Sequence, residues 1–106
     1  MDALPKIQTL NDAFRKSFVG GRVVITQGVQ ALPDLERVLR QVQDFERFDN
    51  DNDPQHEHDF GSFEAEGHTV FWKLDYYSVD LNAGSPDPTD TKVTTRVLTI
   101  MLAEEY

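Results

Sequence analysis

The sequence of 106 residues contains no cysteine. This absence excludes disulfide bonds, a thiol nucleophile and a metal site built on thiolates. No apolar run approaches the ~18–20 residues that a membrane helix requires. Residues 1–6 show no basic region followed by an apolar stretch, so we expect no secretory signal and a cytoplasmic location.

Positive charge is also scarce, with 10 Lys and Arg against 19 Asp and Glu and a formal net charge of −9. Residues 44–66, called here the acidic segment, hold nine acids and only one base, Arg47. Such a chain repels nucleic acid and anionic membranes at long range, so we expect neither as a direct partner. A basic protein surface or a hard cation remains possible as a partner. The simpler interpretation is that the charge maintains solubility.

The length and the lack of repeats or linkers predict one compact domain, residues 1–106. Apolar residues at helical spacing predict a first helix that begins near Pro5 and ends at Gly20-Gly21. The same spacing predicts a second helix from Asp34 to Phe45.

The remaining apolar segments complete the predicted fold. Residues 22–26 have the β-branched composition of a buried strand, and residues 59–77 read as a β-hairpin with a tight turn at Glu66-Gly67. The run 97–103 suits either a strand or a helix, and we interpret it as a helix. The fold class is therefore α+β, in the order α-β-α-β-β-α, with helices packed on a small three-stranded, mainly antiparallel sheet. The predicted core includes Phe14, Val24, Leu39, Trp72 and Ile100.

Six segments of the sequence carry distinctive motifs: GGRVV at residues 20–24, DNDP at 51–54, EHDFGSF at 57–63, FWKLDYY at 71–77, GSPDP at 84–88 and RVLTIMLA at 96–103. Together these motifs resemble a bacterial family called domain of unknown function 3768. The resemblance implies a compact stand-alone protein but no chemistry that can be assigned to a residue. The relatives resemble cargo of alphaproteobacterial plasmids and other mobile elements, which often counters host defence.

Alternating carboxylates at Asp49, Asp51 and Asp53 are similar to the first ligands of a calcium loop. Counted from Asp49, however, the sixth position is Pro54 where that loop has glycine, and the twelfth is Phe60 where it has glutamate. The favoured interpretation is a loop whose Asp and Asn side chains cap their own backbone. We therefore expect no cofactor.

Residues 56–59 form the densest cluster of chemically active side chains. His56, His58 and Asp59 are weak candidates for a zinc or other first-row metal site, which would activate water for a small metal-dependent hydrolase. The alternative is that these side chains only fix the entry to the hairpin by hydrogen bonds. Clusters of this kind are more often structural, so the sequence favours a protein that is not an enzyme.

The leading hypothesis is an acidic interaction protein of mobile-element type, such as an anti-CRISPR or anti-restriction inhibitor. It would occupy a basic nucleic-acid-binding surface on a defence complex by imitating phosphate charge. A metal-dependent hydrolase and a structural accessory module without catalysis remain as alternatives. The predicted partner-binding residues are Asp44, Glu46, Asp49, Asp51, Asp53, Glu57, Asp59, Glu64 and Glu66.

Overall fold

The computed structural model describes residues 4–106 and has α+β architecture. Residues 1–3, which belong to the stretch considered for a signal and to the predicted domain 1–106, lie outside the described residues. No helix in the described part of the chain is both long and apolar enough to cross a membrane. The elements are α1 (Leu4–Ser17), β1 (Gly21–Ile25), α2 (Gln27–Gln30), α3 (Leu35–Gln43), β2 (Phe60–Ala65), β3 (His68–Tyr77), β4 (Thr95–Leu102) and a 3-10 helix (Ala103–Glu105).

The sheet has four strands in the order β1-β4-β3-β2, so the predicted three-stranded sheet is wrong. The β3 strand pairs antiparallel with both β2 and β4, whereas β1 pairs parallel with β4. The run interpreted as a helix is β4, which lies in the middle of the sheet. Its backbone groups pair with two strands that are distant in sequence, and local helix propensity does not report such pairing.

The predicted hairpin is confirmed. Its two strands are joined by Glu66 and Gly67, whose φ angles of 53° and 81° both lie in the left-handed region. Positive φ at both central residues is typical of a type I′ turn, which matches the twist of the flanking strands. This turn sets the register in which Gly61 faces Trp72.

The two predicted helices exist, with shifted ends. The first, α1, stops at Ser17 because Phe18 already takes a left-handed φ of 60°, before the Gly20-Gly21 pair. The second, α3, is capped by the Asp34 carboxylate, which accepts the backbone N–H of Arg37 at 3.1 Å. The short α2 was not predicted, because a single turn has no detectable periodicity.

All three α-helices pack on one face of the sheet. Their buried residues Phe14, Val29, Val38 and Val42 join one hydrophobic cluster with alternate residues of β3 and β4, including Trp72 and Ile100.

Among the other predicted core residues, Leu39 is only partly buried against this cluster. Val24 is 46 % exposed, so its core placement is wrong. It pairs in register with Thr99, and the two therefore point to the face of the sheet opposite the helices.

Candidate interaction loop

The acidic segment folds mainly as a long connection between α3 and β2. We call residues 44–59 the acidic loop; it contains seven acids and one base. A connection of this length without secondary structure is uncommon in a compact domain, where it is usually either functional or disordered. Here its side chains hold it in a defined shape.

The tip of the acidic loop is capped by its own side chains. One carboxylate oxygen of Asp49 accepts the backbone N–H groups of Asp51 and Asn52 at 2.9 and 3.0 Å. The Asn52 side chain accepts the N–H of Asp49 at 3.0 Å and donates to the Arg47 carbonyl at 2.7 Å. These bonds confirm the prediction that Asp and Asn side chains cap this segment.

Asp53 holds the second half of the loop from inside. It is 1 % exposed, and its Oδ1 accepts the backbone N–H groups of Glu57 and His58 at 3.0 and 3.2 Å. Both His56 and His58 have left-handed φ angles, 58° and 56°, so the backbone curls around this carboxylate. The structure therefore places Asp53, one of the predicted partner-binding residues, inside the folded chain.

The loop is also fastened to α1. The Nδ1 atom of His58 lies 3.0 and 3.1 Å from the two carboxylate oxygens of Asp12, and its ring stacks on Phe48 with centroids 3.9 Å apart. The side chain of Asn11 donates to the Glu57 carbonyl at 2.9 Å, and that of Gln8 donates to the His56 carbonyl. Two successive turns of α1 thus hold one side of the loop.

A buried polar network continues from the loop into the sheet. The Tyr76 hydroxyl donates to the Glu57 carboxylate at 2.7 Å and accepts from the Asn11 side chain at 2.7 Å. The Arg96 Nε donates to Asn11 Oδ1 at 2.7 Å, and the Nη2 atom of Arg96 donates to the Pro88 carbonyl. Burial, and secondarily the Glu57 carboxylate that accepts its hydrogen bond, raise the pKa of Tyr76 well above its ordinary value, so this hydroxyl keeps its proton.

Asp59 lies at the end of the loop, where it is partly buried. Burial raises the pKa of its carboxyl, and the neighbouring charges of Glu57 and Asp53 raise it further. The backbone carbonyl of Asp59 accepts the N–H of Leu74 at 2.8 Å and so joins the loop to the sheet. The side chains of Glu57 and Asp59 are thus partly buried, and the Glu57 carboxylate is hydrogen-bonded to Tyr76 within the protein.

Six of the nine predicted partner-binding residues remain exposed. The carboxylate of Glu46 pairs with Lys16 at 3.1 Å, and Glu66 accepts the backbone N–H of Asp34 at 3.1 Å. The carboxylates of Asp44 and Asp51 have no bonding partner in the described structure and are free to contact another molecule. The exposed set is Asp44, Glu46, Asp49, Asp51, Glu64 and Glu66.

The metal candidates do not converge. The side chain of His56 is exposed, whereas His58 is committed to Asp12 and Phe48. In the part of the chain that the structure describes, no group of three or more His, Asp or Glu side chains is arranged to hold a metal ion.

Beside the loop, α3 and β2 border an open groove of about 810 Å³. Phe45 and Phe63 contribute apolar surface, and Arg37, Arg40 and Arg47 line it together with four carboxylates. The α3 side of the loop therefore carries both signs of charge.

Sequence reasoning missed the α1 residues that hold the loop. Asn11 and Arg15 are fully buried. The Nη1 atom of Arg15 donates hydrogen bonds to the backbone carbonyls of Val42 and Gln43 in α3. One signal was present: Asn11 follows Ile7 by four residues, so it lies on the apolar face of the helix. A polar residue there indicates an internal hydrogen-bond network.

Residues 25–105 match the model of a protein family described as "Protein of unknown function (DUF3768)". The chain belongs to this family. The match confirms the resemblance seen in the sequence, and the DUF3768 description assigns no activity. No curated protein and no solved structure matches the chain.

Proposed function

We propose that this DUF3768 protein is an acidic interaction protein whose acidic loop contacts a basic surface of a partner protein. The observation that carries the proposal is the combination of exposed carboxylates with a loop that is already ordered. Asp49 and Asp53 hold its turns, and His58 fastens it to α1. A preorganised loop loses little conformational entropy when it binds, which favours affinity.

The partner surface is one that binds nucleic acid. Duplex DNA carries one charge per ~1.7 Å of axis, so the four exposed carboxylates of the acidic loop correspond to about 7 Å of that axis. A nucleic-acid-handling defence complex of the CRISPR or restriction type presents such a surface. In this proposal the protein is cytoplasmic mobile-element cargo that counters host defence.

The hydrolase alternative has less support. Of its candidate ligands, His56 is exposed to solvent, His58 contacts the Asp12 carboxylate, and Asp59 is partly buried. No specific observation favours this second function over the first.

The first experiment identifies the partner by capture with the tagged protein from its natural host and then tests competition with duplex DNA. We expect DNA to displace the protein, and we expect binding to weaken as salt is raised. The triple variant Asp44→Asn, Glu46→Gln, Asp51→Asn should bind about tenfold more weakly, because each exposed pair contributes only ~0.2–1 kcal/mol.

A matched control neutralises Glu36 and Glu104, two exposed carboxylates outside the acidic segment. This double variant should bind like the wild type. The His58→Ala variant, if it folds, should show at most a partial loss. Simultaneous binding of DNA and protein to the partner, or full affinity of the triple variant, would contradict the proposal. An abrupt loss of function in folded His58→Ala, with the carboxylate variants silent, would favour the enzyme instead.

A further inference from the structure

One face of the sheet has no α-helix packed on it in the described chain. The three α-helices bury their apolar residues against the face that contains Trp72, Leu98 and Ile100. The smallest principal extent of the molecule is 22 Å, which matches one helix layer of ~10 Å on one sheet. We call the opposite side the open sheet face. Its residues are Arg22, Val24, Phe60, Ser62, Glu64, Thr69, Phe71, Lys73, Asp75, Tyr77, Thr95, Val97, Thr99 and Met101.

The open sheet face combines six apolar side chains with eight polar or charged ones, and one of the apolar side chains, Met101, is only 4 % exposed. Five large hydrophobic side chains are exposed in the described residues, and Val24 at 46 % and Tyr77 at 36 % lie on this face. A third, Tyr106 at 78 %, packs the edge of its ring against Phe71, with centroids 5.9 Å apart. These three side chains supply the exposed apolar surface on or beside this face.

The same face is electrically balanced. It carries two bases, Arg22 and Lys73, and two acids, Glu64 and Asp75, in a chain whose net charge is −9. The Lys73 amine and the Asp75 carboxylate pair at 3.1 Å. A neutral surface does not attract a highly charged partner of either sign. It does allow two copies of an acidic chain to meet with the least repulsion.

The open sheet face is also large enough for a contact between two copies of the chain. The four strands have five, six, ten and eight residues. At a spacing of ~4.8 Å between strands and a rise of ~3.3 Å per residue, they cover about 460 Å² in projection. A standard interface buries ~800 Å² of accessible surface on each partner, and side-chain relief makes accessible surface larger than its projection. Sheets that pack face to face in this way form the core of β-sandwiches.

We propose that the open sheet face is the interface of a homodimer, in which the sheets of two copies pack against each other. The proposal is independent of the function proposed for the acidic loop, because the loop packs against α1 and the helix side of the sheet. The dimer displays two acidic loops to the outside.

The test measures the mass of the full chain by sedimentation and light scattering across a wide range of concentration and salt. We expect a dimer whose affinity rises with salt, because salt screens the repulsion between two acidic copies. Val24→Lys and Tyr77→Lys should each weaken dimerisation at least about tenfold, since each puts a charge into an apolar contact. Both side chains are exposed in the monomer, so both variants are expected to fold.

Val19→Lys is the matched control, because Val19 is 76 % exposed but precedes β1 and lies outside the sheet. It should dimerise like the wild type. A wild-type protein that stays monomeric at high concentration and high salt would overturn the proposal. An equal loss in Val19→Lys and Val24→Lys would do the same. Monomeric Val24→Lys that still binds a basic partner would separate this interface from the acidic loop.

Discussion

At the scale of single residues, Trp72 occupies the centre of the hydrophobic core. Its ring is fully buried, with Phe45 packed edge-on at 5.5 Å and the Arg15 guanidinium 5.1 Å above it. A Cβ atom at Gly61 would come within 2.2 Å of the indole Nε1, so the opposing strand must have glycine there. The indole N–H has no hydrogen-bond partner in the described structure, and packing alone positions the ring.

Replacement of Trp72 by alanine should therefore cost about 3–5 kcal/mol of unfolding free energy, because it leaves a large cavity in the core. Equilibrium unfolding in urea measures this loss. Val19→Ala, at a position that is 76 % exposed and outside the sheet, is the control and should lose much less. A Trp72→Ala variant of near wild-type stability would contradict the burial of this ring.

Asp59 links stability to pH. Burial and the charges of Glu57 and Asp53 raise the pKa of its carboxyl above the ordinary 3.8, so the folded state binds this proton more tightly than the unfolded state does. The stability that this group contributes is present below the unfolded pKa and is lost as pH rises through the folded pKa.

Asp59→Asn should consequently raise the thermal midpoint at neutral pH, and its advantage should vanish in acid below about pH 3.8. Thermal unfolding across a pH series measures the difference. Asp51→Asn, which removes an exposed and unpartnered charge, serves as the control. A less stable Asp59→Asn at neutral pH would show that the ionised carboxylate has a favourable role.

At the scale of elements, the acidic loop owes its order to a buried carboxylate. Asp53 accepts two backbone N–H groups that would otherwise be buried without partners. Asp53→Ala should lower the unfolding free energy by about 2–3 kcal/mol, since each unsatisfied group costs ~1–3 kcal/mol and water relieves part of the loss.

Asp51→Ala changes an exposed carboxylate in the same loop and should be nearly neutral. Chemical unfolding of the two variants compares them directly, and hydrogen exchange should be faster for the Glu57 and His58 amides in Asp53→Ala alone. If both variants had equal stability and equal exchange, Asp53 would have no part in ordering the loop.

At the scale of the whole molecule, the charge is divided between two sides. The acidic loop packs against α1, and four of its seven carboxylates are exposed to solvent. The open sheet face is neutral, and apolar side chains such as Val24 are exposed on it. The two proposed contacts should therefore respond to salt in opposite directions: an acidic loop on a basic partner weakens, whereas a dimer of acidic copies strengthens.

The sequence by itself determined the features that depend on near neighbours along the chain. The first helix, the start of the second helix near Asp34 and the hairpin of residues 59–77 all follow from local spacing, and the structure confirms them with shifted ends. The turn at Glu66-Gly67 also follows from its own two residues. The sequence was likewise sufficient for the family, which the match to DUF3768 confirms.

Only the tertiary structure decided which residues those elements bury. The apolar pattern of residues 97–103 fits a helix and a strand equally well. The segment lies in β4 because β1 and β3 pair with its two edges. Val24 is exposed because no α-helix in the described chain covers that face of the sheet, and Asp53 is buried because the loop folds around it. Burial and strand pairing depend on residues far apart in the chain, and local composition does not encode which of them meet.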